Sequence, residues 1–297
     1  MNFSPEHETT ALQNFLTVDV EDYFQVSAFE HRIARRDWPS YPSRVEANTE
    51  RLLQLFADCD VRGTFFVLGW VAERFPGLVR RIAAEGHELA SHGYWHQLVY
   101  RLTPEAFRAD LRASLQAISD AAGVRPIAYR APSFSITQRS IWALEILVQE
   151  GFTIDSSIFP IHHDRYGVPG ANPEIHLRET PAGSITEIPP SVGNWGPIRL
   201  PVGGGYFRLL PLPLTNLAIG SLTKQSRPTM LYLHPWEVDP QQPRIRGVGL
   251  RSRFRHYVGL RRTEPRLRCL LRKHSFTSIG RLLPSATEPQ LDETPHA

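Results

Sequence analysis

The sequence predicts an α/β protein whose strands run parallel in a sheet or barrel. Two patterns carry this expectation. From residue 15 to residue 155 short apolar runs alternate with helical stretches. Titratable side chains also follow the ends of successive runs: Asp19, Glu21 and Asp22, then His92 and His96, Arg130, Asp155 and His234. The C-terminal ends of parallel strands converge on one face, where such folds build active sites.

Phe15 to Val20 (FLTVDV) reads as a short buried strand running into an acidic cluster. Ser43, with Glu46 three residues on, has the form of a capping box opening a helix toward Cys59, and Leu52, Leu55, Phe56 and Cys59 share its apolar face. Arg62 to Leu68 is the next strand. A helical stretch interrupted at Pro76 follows, closed by Gly86 in the C′ position. His87 to Ser91 is a third strand. Thr103-Pro104-Glu105 starts a helix, because proline at the first helical position lacks only an N–H that would go unpaired. Phe107, Leu111, Leu115 and Ile118 form its stripe, and Gly123 stops it. Ile127 to Arg130 reads as a strand, Thr137 to Glu150 as a helix and Phe152 to Ile154 as a strand.

From Phe159 to Pro213 proline and glycine are dense, which predicts long loops with a short strand over Ile185 to Ile188. Thr229 to His234 (TMLYLH) returns as a core strand. Leu250 to Lys273 reads as one or two helices around Pro265, and Phe276 to Ile279 as a last strand. A polar leader is expected over 1–14 and a disordered tail over 284–297.

Composition narrows the class. With 297 residues, 41% hydrophobic, 30 aromatics and a net charge of +3, the chain is not a disordered one. Cys59 and Cys269 are far apart and belong to no CxxC pair, which argues against a disulfide framework and a cysteine zinc site. No run approaches the roughly 20 apolar residues of a membrane span, and residues 1–14 lack a basic and apolar signal, so a cytoplasmic protein is expected. Between Arg244 and Lys273 eleven Arg or Lys stand against the single Glu264. That run reads as a solvated helical face or as a surface for an anionic partner.

The sharpest pair is His92 and His96. Four residues apart on a helical turn, two imidazoles share a face and can bind one ion. The run Asp19-Val20-Glu21-Asp22 offers one carboxylate for the metal and another for proton transfer.

The ordered segments TVDVEDYF, SHGYWH, RAPSF, DSSIFP and LYLHPWE resemble the five motifs of polysaccharide deacetylases of the NodB-homology type, carbohydrate esterase family 4. The GGGYFR segment and HPWE are similar to the branch associated with bacterial exopolysaccharide and exosortase gene clusters. The likeness runs from about residue 15 to residue 280. It implies a distorted (β/α) barrel with long loops and a C-terminal helical extension, all within one catalytic domain over 15–283. It also implies one divalent metal held by an acid and two histidines, and hydrolysis of the N-acetyl group of an amino sugar.

Carried over by residue, Asp19 matches the catalytic base, His92 and His96 the metal histidines, and Arg130 the arginine that positions the base. His234 matches the general acid and Asp155 its acidic partner, with Glu237 and Asp239 as rivals. The third metal ligand is Glu21 or Asp22; strand parity, which places Asp19 and Glu21 on one side, favours Glu21. Gly93 stands where many members have Ser or Thr, costing the loop a bracing hydroxyl. Zinc suits a His₂-carboxylate site, and cobalt, nickel or iron also fit. Tyr94, Trp95 and Trp236 are candidates to stack on a sugar, with Pro132, Gly204 and Tyr206 lining it. His162 and His163 are loop histidines of the kind that seldom ligate.

The implied partner is an N-acetylated glycan or a lipid-linked sugar, with peripheral membrane contact through the arginine-rich part and no nucleic acid. Two other readings compete: an amidohydrolase of the same fold acting on a small non-sugar amide, and a catalytically silent carbohydrate-binding protein. The second has no use for a matched acid and base.

Overall fold

The structure, a computed structural model, describes residues 12–161, 166–195 and 198–282. In chain order its elements begin with β1 (Asn14–Val20), α1 (Val45–Asp58), β2 (Thr64–Val67), α2 (Gly69–Arg74), α3 (Pro76–Ala84) and β3 (Glu88–Ser91). Then come α4 (Pro104–Ala122), β4 (Ala128–Tyr129), α5 (Ala143–Gln149), β5 (Ile154–Asp155), β6 (His176–Thr180) and β7 (Gly183–Glu187). The C-terminal part holds β8 (Val192–Trp195), β9 (Ile198–Pro201), α6 (Gly204–Leu209), α7 (Leu212–Thr223) and β10 (Met230–Leu233). It ends with α8 (Leu250–Tyr257), α9 (Leu260–Lys273) and β11 (Phe276–Thr277).

Among the described residues nine strands form one sheet in the order β10-β1-β2-β3-β4-β5-β7-β6, with β11 beside the start of β1. All neighbours run parallel except β6 against β7, and β8 and β9 make a separate antiparallel ribbon. This is the α/β architecture that the alternation predicts, in a form that a distorted barrel accommodates. The β10 and β7 sides are drawn together by side chains. Met230 donates its N–H to Ser191 Oγ at 2.8 Å, Ser156 Oγ donates to the Ile188 carbonyl at 2.8 Å, and Arg130 reaches both Ser156 and Met230.

Strand parity sorts the core into two layers. Leu16, Val18 and Val20 pack outward with Leu52, Leu55 and Phe56 of α1. Phe15, Phe66, Ala90, Ala128, Ile154, Ile188 and Met230, one from each region of the sheet, make an apolar plug on the other side. Further along the plug-side register of β1 lie Thr17 and Asp19, so polar groups begin where the plug ends.

Several expected elements change form. The helix expected over Thr137–Glu150 is a 3₁₀ turn (Gln138–Ser140) followed by α5. The basic stretch 250–273 is two helices broken at Val258 and Gly259 rather than around Pro265, which lies inside α9. Gly259 has φ +73°, and a Cβ there would lie 2.4 Å from the Arg208 carbonyl, so only glycine fits this break. The Ser43–Glu46 capping box does not form: Ser43 donates instead to Asp22 and α1 begins at Val45. No helix among the described residues is long and apolar enough to cross a membrane. The tail over 284–297 and all but the end of the leader lie outside the described residues.

Candidate active site

Glu21 and Asp22 leave β1 in opposite directions. Asp22 accepts from Ser43 Oγ (2.6 Å), from the N–H groups of Arg44 (2.8 Å) and Val45 (3.1 Å), and from its neighbour Tyr23 (2.9 Å). It therefore caps the N-terminus of α1, whose first amides have no partner inside the helix. All its acceptor capacity is turned away from the histidines, which removes it as a metal ligand. Glu21 faces them. Ligand atoms of Glu21, His92 and His96 lie within 4.8 Å of one another, and all three residues are buried.

The two histidines are not on a helical turn. Residues 92–96 form a loop after β3, bent by Gly93 at φ +71° and His96 at φ +50°, and the rings come to 5.4 Å between centroids. Asp110 of α4 braces this loop, accepting from the N–H groups of Tyr94 (2.7 Å) and Trp95 (3.1 Å). A Cβ at position 93 would lie 2.7 Å from Asp110 Oδ2. Glycine thus makes room for a carboxylate brace, which takes the part of the missing hydroxyl.

Two of the three groups, His92 and Glu21, are oriented by hydrogen bonds. His92 Nδ1 sits 2.8 Å from the Arg130 carbonyl, which can only accept, so the proton is on Nδ1 and the Nε2 lone pair is free. Trp236 Nε1 donates to Glu21 Oε1 at 3.2 Å. Glu21 Oε2 is buried and 2.7 Å from His96 Nε2, yet it makes no hydrogen bond. A buried carboxylate oxygen left without a well-aligned partner beside an imidazole nitrogen is free to aim, with that nitrogen, at a common third point. Burial alone would raise the Glu21 carboxyl, but His96, His234 and His92 beside it bring it down to about 2. Burial pushes His92 down to about 4, keeping it neutral as a ligand must be. A buried N₂O donor set of this kind fits a divalent ion.

Beside this cluster stand a carboxylate and a histidine. Arg130, fully buried, donates through Nη1 to Asp19 Oδ1 (2.7 Å) and Thr17 Oγ1 (2.8 Å) and through Nη2 to Ser156 Oγ (3.0 Å), with its guanidinium 4.1 Å over the Phe66 ring. Asp19 Oδ2 is left facing His234 Nε2 at 3.8 Å. His234 Nδ1 bonds Glu237 Oε1 at 2.5 Å, and Glu237 Oε2 accepts from Arg208 Nε at 2.6 Å. Burial opposes a charge on His234, but Glu237 first, then Glu21 and Asp19, raise it to about 9. Burial likewise opposes a charge on Glu237, and Arg208 with His234 outweighs it, holding that carboxyl below its ordinary value.

The structure redistributes the remaining expected site residues. Asp155 is not the partner of His234: it bonds Ser157 Oγ and pairs with Glu187 on the neighbouring strand. Glu237, three residues after His234 in a 3₁₀ turn, takes that place, while Asp239 is held by Arg44. Trp236 is no sugar platform, since its ring is buried between His234 (5.1 Å) and His256 (4.1 Å). Gly204, at φ +47°, packs on Tyr232, where a Cβ would lie 2.7 Å away. Tyr94 packs on Gly69 and donates its hydroxyl to Glu73 of α2. Trp95, 36% exposed, lies beside Trp38 at the edge of the histidine loop. Pro132 is buried and Tyr206 half-buried. His162 and His163 fall outside the described residues. Arg208 is the functional side chain that sequence reasoning missed; it closes the GGGYFR run in which only the glycines and tyrosine drew notice.

Residues 37–151 match the family model described as polysaccharide deacetylase, and residues 156–284 match a domain of unknown function, DUF3473. The chain is similar to the peptidoglycan-N-acetylglucosamine deacetylase of Bacillus cereus, 33% identical over 98 residues that cover 33% of this chain and 36% of that protein. It is also similar to the chitooligosaccharide deacetylase of Rhizobium leguminosarum bv. trifolii, 29% identical over 114 residues, 38% of this chain and 49% of the other. The chain thus aligns with between a third and a half of the length of these curated relatives. In fold it is similar to the Bc1960 peptidoglycan N-acetylglucosamine deacetylase, with a TM-score of 0.51 at 17% identity over 92% of this chain and 89% of that one. It is likewise similar to Puue allantoinase, with a TM-score of 0.53 at 16% identity over 82% of each chain.

Proposed function

We propose that this chain, which carries a polysaccharide deacetylase domain of the NodB-homology type continued by a DUF3473 segment, hydrolyses the N-acetyl group of an amino sugar within a glycan. The observation that carries the reading is the juxtaposition of Asp19 Oδ2 and His234 Nε2, 3.8 Å apart, beside the Glu21, His92 and His96 cluster. A proton acceptor and a proton donor with separate, opposed supports are what amide hydrolysis needs and what binding alone does not. The names of the relatives point to N-acetylglucosamine in peptidoglycan and to chitooligosaccharides as the substrate class. An exopolysaccharide or its lipid-linked precursor is the substrate we favour within that class.

Glu21, His92 and His96 would hold the divalent ion, zinc by preference, and when bound it polarises the acetyl carbonyl and acidifies water. Asp19 takes a proton from the attacking water through Oδ2, because Oδ1 is occupied by Arg130. Arg130 fixes that carboxylate in direction. His234 hands the proton on Nε2 to the departing nitrogen, which leaves poorly as an anion. Glu237 fixes the imidazole through Nδ1, and Arg208 fixes Glu237.

The test is acetate release from N-acetylglucosamine oligomers by the purified, metal-loaded chain, with allantoin and other small amides as controls. Acetate appearing with one free amine per event supports the reading. Turnover of the small amides with intact oligosaccharide would move the chain to the amidohydrolases of this fold.

A further inference from the structure

We infer that α8 and the start of α9 form a docking surface for an anionic phospholipid bilayer. Helix α8 is anchored on its inner face, where buried His256 lies 4.1 Å from Trp236 and 4.7 Å from Phe29, ring to ring. Its outer face carries Leu250 and Phe254, one helical turn apart, which are 81% and 59% exposed. Exposed Arg251, Arg253 and Arg255 surround them, with exposed Arg246 before the helix and Arg261 and Arg262 after it.

Several exposed arginines elsewhere do have acidic partners: Arg51 with Glu264, Arg81 with Glu85 and Arg101 with Glu30. Among the described residues none of the six around α8 has an acidic partner. A surface that only needs solubility has no use for an uncovered Phe and Leu at the centre of such a field. A polyanion such as a nucleic acid or an acidic glycan is held by charge and by stacked rings, for which an exposed leucine is of no use. Apolar side chains ringed by guanidinium groups match the layered chemistry of a membrane surface, with phosphate at the level of the arginines and hydrocarbon beneath.

The surface is also rigidly joined to the site. Arg208 donates to the carbonyls of Arg255, His256 and Val258 at 2.8–3.0 Å, and the same guanidinium holds Glu237. The docking surface stands whether or not the chain is a deacetylase.

The test is sedimentation of the full chain with vesicles of phosphatidylcholine, with and without phosphatidylglycerol. Binding is expected only where phosphatidylglycerol is present. A Leu250→Ser/Phe254→Ser pair should weaken it by about a hundredfold, from two lost apolar insertions, and Arg251→Glu/Arg253→Glu/Arg255→Glu should abolish it. Both changes lie on exposed positions, and an unchanged thermal melt confirms that each variant is folded. Tryptophan emission of Phe254→Trp should shift to the blue on vesicle addition. Three outcomes would overturn the inference. One is no partition onto the anionic vesicles. A second is loss with charge reversal but none with the serine pair, which assigns the patch to a polyanion. The third is a dimer abolished by the serine pair without vesicle binding, which assigns it to a second copy of the chain.

Discussion

Glu21 and Asp22 sit one position apart at the exit of β1, and what each touches makes them separable by experiment. Glu21 lies against His96 and under Trp236, whereas Asp22 holds the first turn of α1. Glu21→Gln is expected to strip the chain of most bound divalent ion, measured as metal per protein after dialysis. Asp22→Asn should leave metal content unchanged and cost about 1 kcal/mol of stability, the usual effect of weakening a cap. Stoichiometric metal in the first variant, or its loss in the second, would reverse the assignment. Asp19→Asn keeps the shape of the side chain and removes the proton acceptor. It should lower kcat roughly 10²–10⁴-fold at constant metal content, and unaltered turnover would discard Asp19 as the base. At this scale the ordered motifs were the legible part: Asp19, Glu21, His92, His96, Arg130 and His234 do meet, with the two histidines on a loop rather than on the expected helical turn. The partner of His234 was not legible, because Glu237 reaches it only through a 3₁₀ turn, and Asp155 is claimed by Glu187.

That pair belongs to the elements rather than to the chemistry. Asp155 ends β5 and Glu187 ends β7, and the two are direct register partners in parallel strands. Both are buried, and burial and then mutual repulsion hold the shared proton on the pair above the usual carboxylate range. Ser157 Oγ and the Ile158 N–H satisfy one oxygen of each, and Arg178 and Tyr129 are the other ionisable groups nearby. The sign follows from linkage. A carboxyl whose folded pKa is raised contributes stability that is full below its unfolded pKa and is lost as pH rises through the folded value. Glu187→Gln keeps a donor toward Asp155 without needing that proton. The variant should match the parent in acid and exceed it in alkali, read from urea midpoints across pH; equal midpoints at every pH would mean the pair shares no proton. The strands and helices of the first half were legible because most are apolar runs or stripes, several of them bounded by glycine or proline. The 92–96 loop, the split of 137–150 and the break at 258–259 were not. The first and last are set by Asp110 and by the Arg208 carbonyl, partners remote in sequence, and the split by a local 3₁₀ turn closed between Thr137 and Ser140.

The two matched segments, 37–151 and 156–284, do not divide the machinery between them in a way that either could use alone. Asp19 and Glu21 precede the first segment, His92, His96 and Arg130 lie within it, and His234, Glu237 and Arg208 come from the second. Structurally the dependence is the same. β1 is flanked by β10 on one side and, on the other, by β2 with β11 beside its start, so the second segment covers one edge of the strand that carries the base and the beginning of the other. Arg130 leans on Ser156 and Met230, both of the second segment. A chain ending at Asp155 would leave β1 with an open edge and Arg130 buried against nothing on that side, a combination that favours aggregation over folding. Such a fragment is expected to show no cooperative thermal transition by circular dichroism and to elute as aggregate. A sharp melt from a monomeric fragment would mean that the first segment holds its own core, and that the DUF3473 segment merely adds the acid.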